Sequence, residues 1–330
     1  MRLIYVPQYP VEMRYQSWWF YELPKNFIKY FDEVVVITSS KVIYINSQDD
    51  VQNLNTSDST KSESHMFSPI HQAIEYELNQ IKVFGQWYNE NYKKDDVMFI
   101  SDISFPGFFF NCLHHYRVKN VYAYCHGTSK NKYDYFQPVR KSKWLTETSH
   151  YNLCKKVFVA THYHKNKLKW KNAEVVSLPK SPLIEKFSPS SKEKNIDVLY
   201  CGRQTPQKYS KETVLYLKKK GFTVTEKMYD TWQDYFNGIS SAKVLLIMGK
   251  EDTFNYQIME SMYCNTVCLA PNRCAYPEIL NNEYIYYSNE DLLNKVAYYV
   301  QHYDEVHTLK VQEQVDRFYQ TICNYMIMLS

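Results

Sequence analysis

Short runs of β-branched and aromatic residues alternate along this chain with longer stretches whose apolar positions recur every three or four residues. In the first half the runs predict strands at Arg2–Val6, Glu33–Thr38, Val97–Ser101, Asn120–Cys125, Lys156–Ala160 and Glu174–Leu178. Helices are expected near Met13–Tyr30, Pro69–Tyr92 and Phe105–His115. The second half predicts strands at Ile196–Cys201, Phe222–Glu226, Lys243–Met248, Thr266–Leu269 and Tyr284–Tyr287. Helices near Pro206–Lys219, Thr231–Asn237, Phe254–Tyr263 and Asp291–Gln301 separate them, and a last helix covers roughly Val306–Met328. Strands spaced by helices form mostly parallel sheets. The expected fold class is therefore α/β, with two Rossmann-like domains facing across a cleft.

The Pro-, Ser- and charge-rich stretch from Pro179 to Lys194 is the natural linker. Residues 48–64 are polar without periodicity and read as an exposed loop. This sets the domains at 1–180 and 190–305, with residues 306–330 packing back on the first domain. A chain of 330 residues exceeds a typical single core, which agrees with two domains.

Composition narrows the class. Hydrophobic residues make up 45% and charged residues 22%, as in soluble globular proteins. No apolar run reaches membrane-spanning length, and the N-terminus turns polar too soon for a signal peptide. The eight cysteines lack a paired framework, and Cys201, Cys264 and Cys323 fall inside expected strands or helices. That favours reduced thiols and a cytoplasmic location, the host cytoplasm for a viral chain. A net charge of +4 is compatible with an anionic partner without requiring one. The 32 tyrosines and 7 glycines match the bias of an AT-rich genome.

The chemistry concentrates after two strands of the second half. The run Lys243–Met248 leads into Lys250-Glu251-Asp252-Thr253-Phe254-Asn255, where a helix begins that carries Glu260. Ligands of open α/β sheets bind beyond the carboxyl ends of strands, beside helix N-termini. A carboxylate there can hold a sugar hydroxyl, and a second one two turns on can chelate a ribose diol. About forty residues upstream, Ile196–Cys201 exits into Gly202-Arg203, with Lys208 five residues later and Pro206 at an expected helix start. Two cations flanking a helix N-terminus make a diphosphate clamp. The alternative is an ordinary solvated βα turn.

Gly-Arg with a Lys five residues on, followed by an acid–Phe–acid helix, resembles the nucleotide-sugar domain of retaining glycosyltransferases with the GT-B fold. Their usual helix pattern is Glu-x-Phe-Gly-x4-Glu. Here Phe254 and Glu260 keep the spacing, Asn255 replaces the Gly, and Asp252 stands at the first acid with Glu251 beside it. The resemblance implies that Arg203 and Lys208 bind the diphosphate and Glu260 the ribose. It also implies that Glu251 or Asp252, with backbone groups near Thr253 and Phe254, touches the donor sugar. Which of the two acids faces the sugar is open. The stretch Pro271-Asn272-Arg273-Cys274-Ala275-Tyr276-Pro277-Glu278-Ile279 is similar to a segment of tRNA-queuosine mannosyltransferases and of viral glycosyltransferases that decorate modified DNA bases. Otherwise it is a strand-to-helix loop.

The first domain is expected to hold the acceptor. Strand Asn120–Cys125 ends in His126-Gly127-Thr128-Ser129, and in similar enzymes a His here meets the donor sugar or its leaving oxygen. Tyr133, Asp134, Tyr135, Phe136, Arg140, Lys141, Lys143 and Trp144 form a basic, aromatic stretch suited to phosphates and bases. A surface loop with half-buried aromatics is equally consistent. The loop after the first strand carries Tyr9, Arg14, Trp18 and Trp19 in place of a Gly-rich turn. Adjacent tryptophans on one helix are expected to split, one packing and the other stacking on a base. Asp102, at the end of a strand, is a candidate to orient the acceptor hydroxyl.

No metal-ligand spacing, Walker pattern or GxGxxG is present. The resemblance implies metal-independent catalysis, no cofactor, and a nucleotide sugar such as UDP-glucose as co-substrate. The expected activity is a retaining hexosyl- or pentosyltransferase. The favoured acceptor is a hydroxymethylated base in DNA, as in bacteriophage DNA modification. The alternatives are a tRNA base, a cell-surface glycan or lipid, and, from another class, a non-catalytic nucleic-acid-binding module.

Overall fold

The computed structural model describes residues 1–47, 50, 70–104, 106–133, 139–187, 193–304 and 307–330. The expected loop at 48–64 (save residue 50), the candidates Asp134, Tyr135 and Phe136, and positions 188–192 of the expected linker lie outside them.

The chain divides into two units, Met1–Pro179 with Asp316–Ser330, and Lys180–Val315. In the first, β1 (Arg2–Val6), β2 (Glu33–Ile37), β3 (Val42–Ile45), β4 (Val97–Ile100), β5 (Asn120–Tyr124), β6 (Lys156–Val159) and β7 (Ala173–Val175) form one sheet in the order β3-β2-β1-β4-β5-β6-β7. All neighbours are parallel except β2 and β3, which pair antiparallel from Val34–Ile45 to Ile37–Val42. The crossovers are α1 (Tyr15–Phe27), α2 (Ile70–Asn91), α3 (Phe108–Leu113), α4 (Arg140–Tyr151) and α5 (His162–Leu168).

Successive strand residues point to opposite faces. Ile4, Val6, Met98, Ile100, Val121, Ala123, Val157 and Val159 share a core with Phe84 and Trp87 of α2, Phe109 and Phe110 of α3, and Leu168 of α5. The other face is aromatic: Tyr5, Phe99, Tyr122, Tyr124 and Phe158 are all fully buried. It is covered by α1 and by α13 (Phe318–Met328), a helix from the far end of the chain. Phe27 packs on Tyr5, Phe99 and Tyr319, and Tyr325 packs on Phe158.

This packing corrects the expectation for the paired tryptophans. Trp18 is 1% exposed and Trp19 fully buried. Side chains one residue apart diverge by about 100° on a helix, so both are buried only when the helix is enclosed on more than one side. Helix α1 is so enclosed, with the sheet beneath it and α13 beside it, where Phe318 meets Trp19. Trp18 therefore offers no face to a base. Trp18→Ala is expected to lower the unfolding free energy by about 3 kcal/mol or more in urea titrations. An unchanged midpoint would show the ring to be dispensable for packing.

The second unit holds β8 (Ile196–Tyr200), β9 (Val224–Glu226), β10 (Ala242–Leu246), β11 (Val267–Pro271) and β12 (Ile285–Tyr286) in the parallel order β12-β11-β10-β8-β9. Its helices include α6 (Leu183–Phe187), α7 (Lys211–Lys219), α8 (Trp232–Ser240), α9 (Tyr256–Tyr263), α10 (Tyr276–Ile279) and α11 (Asn289–Gln301). Ser210, Thr231 and Ser288 cap α7, α8 and α11, each accepting the backbone N–H three residues on. The expected last helix is two pieces, α12 (Gln312–Asp316) and α13. Among the described residues no helix is long and apolar enough to cross a membrane.

Candidate functional site

Parallel register puts the ends of β8, β10 and β11 at one edge of the second sheet, with the loops that carry Arg203, Glu251–Asp252 and Arg273. The loop after β8 is built around Tyr200. Its hydroxyl lies 2.6 Å from the Arg203 carbonyl oxygen and 3.1 Å from that of Lys208, tying both ends of the loop to one phenol. Gly202 makes room for that ring, since a Cβ there would sit 2.8 Å from the hydroxyl oxygen. The expected helix start at Pro206 is not observed. Residues 206–208 form a turn, and α7 begins at Lys211 because Ser210 supplies the side-chain cap that Pro206 lacks. The two cations thus flank a turn rather than a helix N-terminus. The Arg203 side chain is half-buried and enters no salt bridge among the described residues.

Lys208 and Asp252 are brought into direct contact. The ammonium pairs with Asp252 Oδ1 and donates to the Glu251 carbonyl at 3.0 Å. Asp252 Oδ2 accepts from the Tyr276 hydroxyl at 2.6 Å and lies 3.4 Å from Asn255 Nδ2. Asn255, in place of the glycine of the resembling pattern, adopts φ 111° and ψ 102° while its side chain caps α9 by accepting from Gln257 N. Such a conformation suits glycine and strains other residues. Asn255→Gly is expected to keep stability within about 0.5 kcal/mol, since lost strain offsets the lost cap, whereas Asn255→Ala costs about 2 kcal/mol. Paired chemical denaturation curves check both, and equal costs would refute the strain.

Phe254 is buried against the body of the unit, so it anchors the loop rather than lining an open surface; Thr253 is half-buried. Glu260, on α9, is 3% exposed and accepts from the Tyr235 hydroxyl of α8 at 2.5 Å. Burial pushes its carboxyl up to about 7, against the opposing pull of that hydrogen bond. No hydrogen bond joins Glu260 to Arg203 or Lys208 among the described residues. Tyr200, Tyr235 and Tyr276, which hold these groups, were not among the expected site residues.

In the first unit His126 follows β5. Its Nε2 lies 3.1 Å from the Ser101 carbonyl, which can only accept, so Nε2 carries the proton. Tyr15, Trp19 and Tyr124 surround the ring with centroids at 4.4, 4.4 and 4.5 Å. Burial holds its pKa well below the usual value, so the imidazole is neutral.

Two buried carboxylates fix the loop that His126 begins. Asp102 takes the Ser104 hydroxyl at 2.6 Å and the Ser104 N–H at 2.9 Å, and it also accepts the backbone N–H of His126. Glu147, on α4, accepts from the Thr128 hydroxyl at 2.9 Å and the Ser129 N–H at 3.0 Å. Glu77, on α2, caps α3 by accepting from the N–H groups of Gly107 and Phe109. Burial raises Asp102 and Glu77 to about 7 and pushes Glu147 up and Lys143, which faces all three acids, down. Asp102 is thus committed to positioning the loop. Glu77 is not among the expected site residues, yet the sequence carries a signal for it: it lies on the helix face of Ala73, Tyr76 and Phe84, where a carboxylate needs partners.

Of the other acceptor candidates, Tyr9 is buried against Tyr76, Arg14 is half-buried just before α1, Tyr133 is 42% exposed, and Arg140 is exposed at the start of α4. Lys130 lies over the Trp144 ring at 4.1 Å, and Lys132 over Tyr133 at 5.3 Å.

No protein-family model matches the sequence. The structure is similar to sucrose-phosphate synthase from Thermosynechococcus elongatus, with 12% identity over 100% of this chain and 98% of that one and a TM-score of 0.68. It is also similar to HepE of Anabaena in complex with UDP and glucose (10% identity, 100% and 98% covered, TM-score 0.64). A third is the lipopolysaccharide outer core galactosyltransferase WaaB (12%, 100% of each chain, TM-score 0.59). The two parallel-sheet units thus have the fold of the GT-B glycosyltransferases.

Proposed function

We propose that this chain is a glycosyltransferase that takes its sugar from a nucleoside-diphosphate donor, a UDP-sugar first, with retention of configuration. The observation that carries the reading is the gathering of Arg203, Lys208 and Asp252 in adjoining loops at one edge of the second sheet, on the same unit as Glu260. Support comes from the fold shared with HepE, solved with UDP and glucose, and with an E. coli trehalose-6-phosphate enzyme bound to UDP-2-fluoro glucose. Cations fixed before the reaction would stabilise the departing diphosphate without reorganisation, so no cofactor is required. His126 is assigned to the donor sugar on the resemblance, and its neutral ring makes that contact a polar one rather than a cationic one.

For the acceptor we favour a hydroxylated base in DNA. That rests on the local resemblance of residues 271–279, on the exposed Lys132 and Tyr133, and on the exposed Arg140 and Lys141 at the start of α4. Glycan acceptors are the second reading, favoured by the likeness to WaaB, an outer core galactosyltransferase. The test is a transfer assay with several nucleotide sugars and DNA carrying hydroxymethylated pyrimidines, the digested nucleosides being read by mass spectrometry. A hexose or pentose gain on one base supports the DNA reading. Donor hydrolysis without transfer to a base removes DNA and moves the search to tRNA and glycans. No donor turnover would leave a nucleic-acid-binding module.

A further inference from the structure

Asp252 and Tyr276 follow the neighbouring strands β10 and β11, and this register brings them together. The Tyr276 ring is fully buried, and its hydroxyl donates to Asp252 Oδ2 at 2.6 Å. The backbone leaves a slot for it: a Cβ at Gly249 would lie 2.5 Å from that hydroxyl and 2.9 Å from Asp252 Oδ2. A second contact joins the same loops, with Cys274 Sγ 3.2 Å from the Lys250 carbonyl oxygen. The other carboxylate oxygen, Oδ1, holds Lys208. Each oxygen of Asp252 thus has a donor on the protein, and together Lys208 and Tyr276 fix how the carboxylate is turned.

We propose that Tyr276 and Asp252 are positioning residues that hold the Lys208 ammonium in place. Tyr276 fixes the carboxylate, and the carboxylate fixes the lysine. The inference rests on the assignment of Lys208 to the donor diphosphate. It gives the tyrosine of the Pro271–Ile279 motif a use that the motif itself did not reveal.

Calorimetric affinities of the full chain for UDP and for UDP-glucose test it, in the wild type, Tyr276→Phe and Asp252→Asn. Tyr276→Phe is expected to weaken both ligands about five-fold, the scale of one ordinary net hydrogen bond, since the lost bond acts on the ligand only through Asp252 and Lys208. Asp252→Asn is expected to shift both by a common factor. A loss confined to UDP-glucose would make Asp252 a sugar contact and overturn the proposal, as would wild-type affinities in both variants. If the wild type binds neither ligand, the donor assignment itself fails, and the relay is decided by NMR of 13C-dimethylated lysines. The signal missing from Lys208→Arg identifies Lys208. It is expected to move in Tyr276→Phe, and a signal that stays put refutes the relay.

Discussion

Replacing Arg203 with alanine is expected to abolish measurable nucleoside-diphosphate binding while leaving the fold intact. The guanidinium enters no salt bridge among the described residues, so its removal leaves no buried partner behind. The hydrogen bond from Tyr200 reaches the Arg203 backbone carbonyl, which alanine keeps. Stability should therefore stay within about 0.5 kcal/mol, as for other surface changes. A forked guanidinium on a diphosphate contributes charge-assisted hydrogen bonds of about 1.5–3 kcal/mol each, so losing two weakens binding on the order of 100-fold or more. Calorimetry with UDP measures it, beside a urea melt of the same sample. Equal affinity in the two proteins would remove Arg203 from the site.

Glu260→Gln is expected to separate stability from binding, and the pH dependence gives its signature. Burial raises the folded carboxyl from an ordinary 4.5 to about 7. Between those values the folded state keeps a proton that the unfolded state has released. The contribution of Glu260 to stability is therefore undiminished below the lower value and is lost as pH rises through the upper one. Glutamine keeps an oxygen for the Tyr235 hydroxyl and never ionises. At about pH 8 the variant should be more stable than the wild type, by up to about 3 kcal/mol on the linkage relation. At about pH 4.5 the two should coincide, since both forms are then neutral when folded. If the residue also holds the donor ribose, the more stable variant should bind UDP more weakly, the trade expected where a strained group serves function. Parallel urea curves at the two pH values would expose a constant difference, which would place the carboxylate in a solvated setting.

The strands β1, β4, β5, β6, β8, β10 and β11 were legible because sheets covered on both faces write continuous apolar runs. The edge strand Val42–Ile45 was not, being short, half-buried and paired with its neighbour through a tight turn. Pro206 suggested a helix start through its fixed φ, but the chain places the first turn where a Ser side chain can accept. For the site, the cations and acids announced themselves by standing at strand exits. The groups that hold them did not. Tyr200, Tyr235 and Tyr276 are three among 32 tyrosines, and the spacing of Tyr276 from Asp252 or Tyr235 from Glu260 reflects strand order rather than any local pattern. Asp102 sat at the end of a strand as expected, yet its oxygens serve Ser104 and His126.

The helix α13 follows the whole second unit in sequence but covers the aromatic face of the first. During translation, Tyr5, Phe99, Tyr122 and Phe158 therefore emerge from the ribosome long before the segment that covers them. The later-synthesised unit can close while the earlier one still shows its aromatic side to chaperones and to other nascent chains. The first unit can thus be completed only after the second has been synthesised.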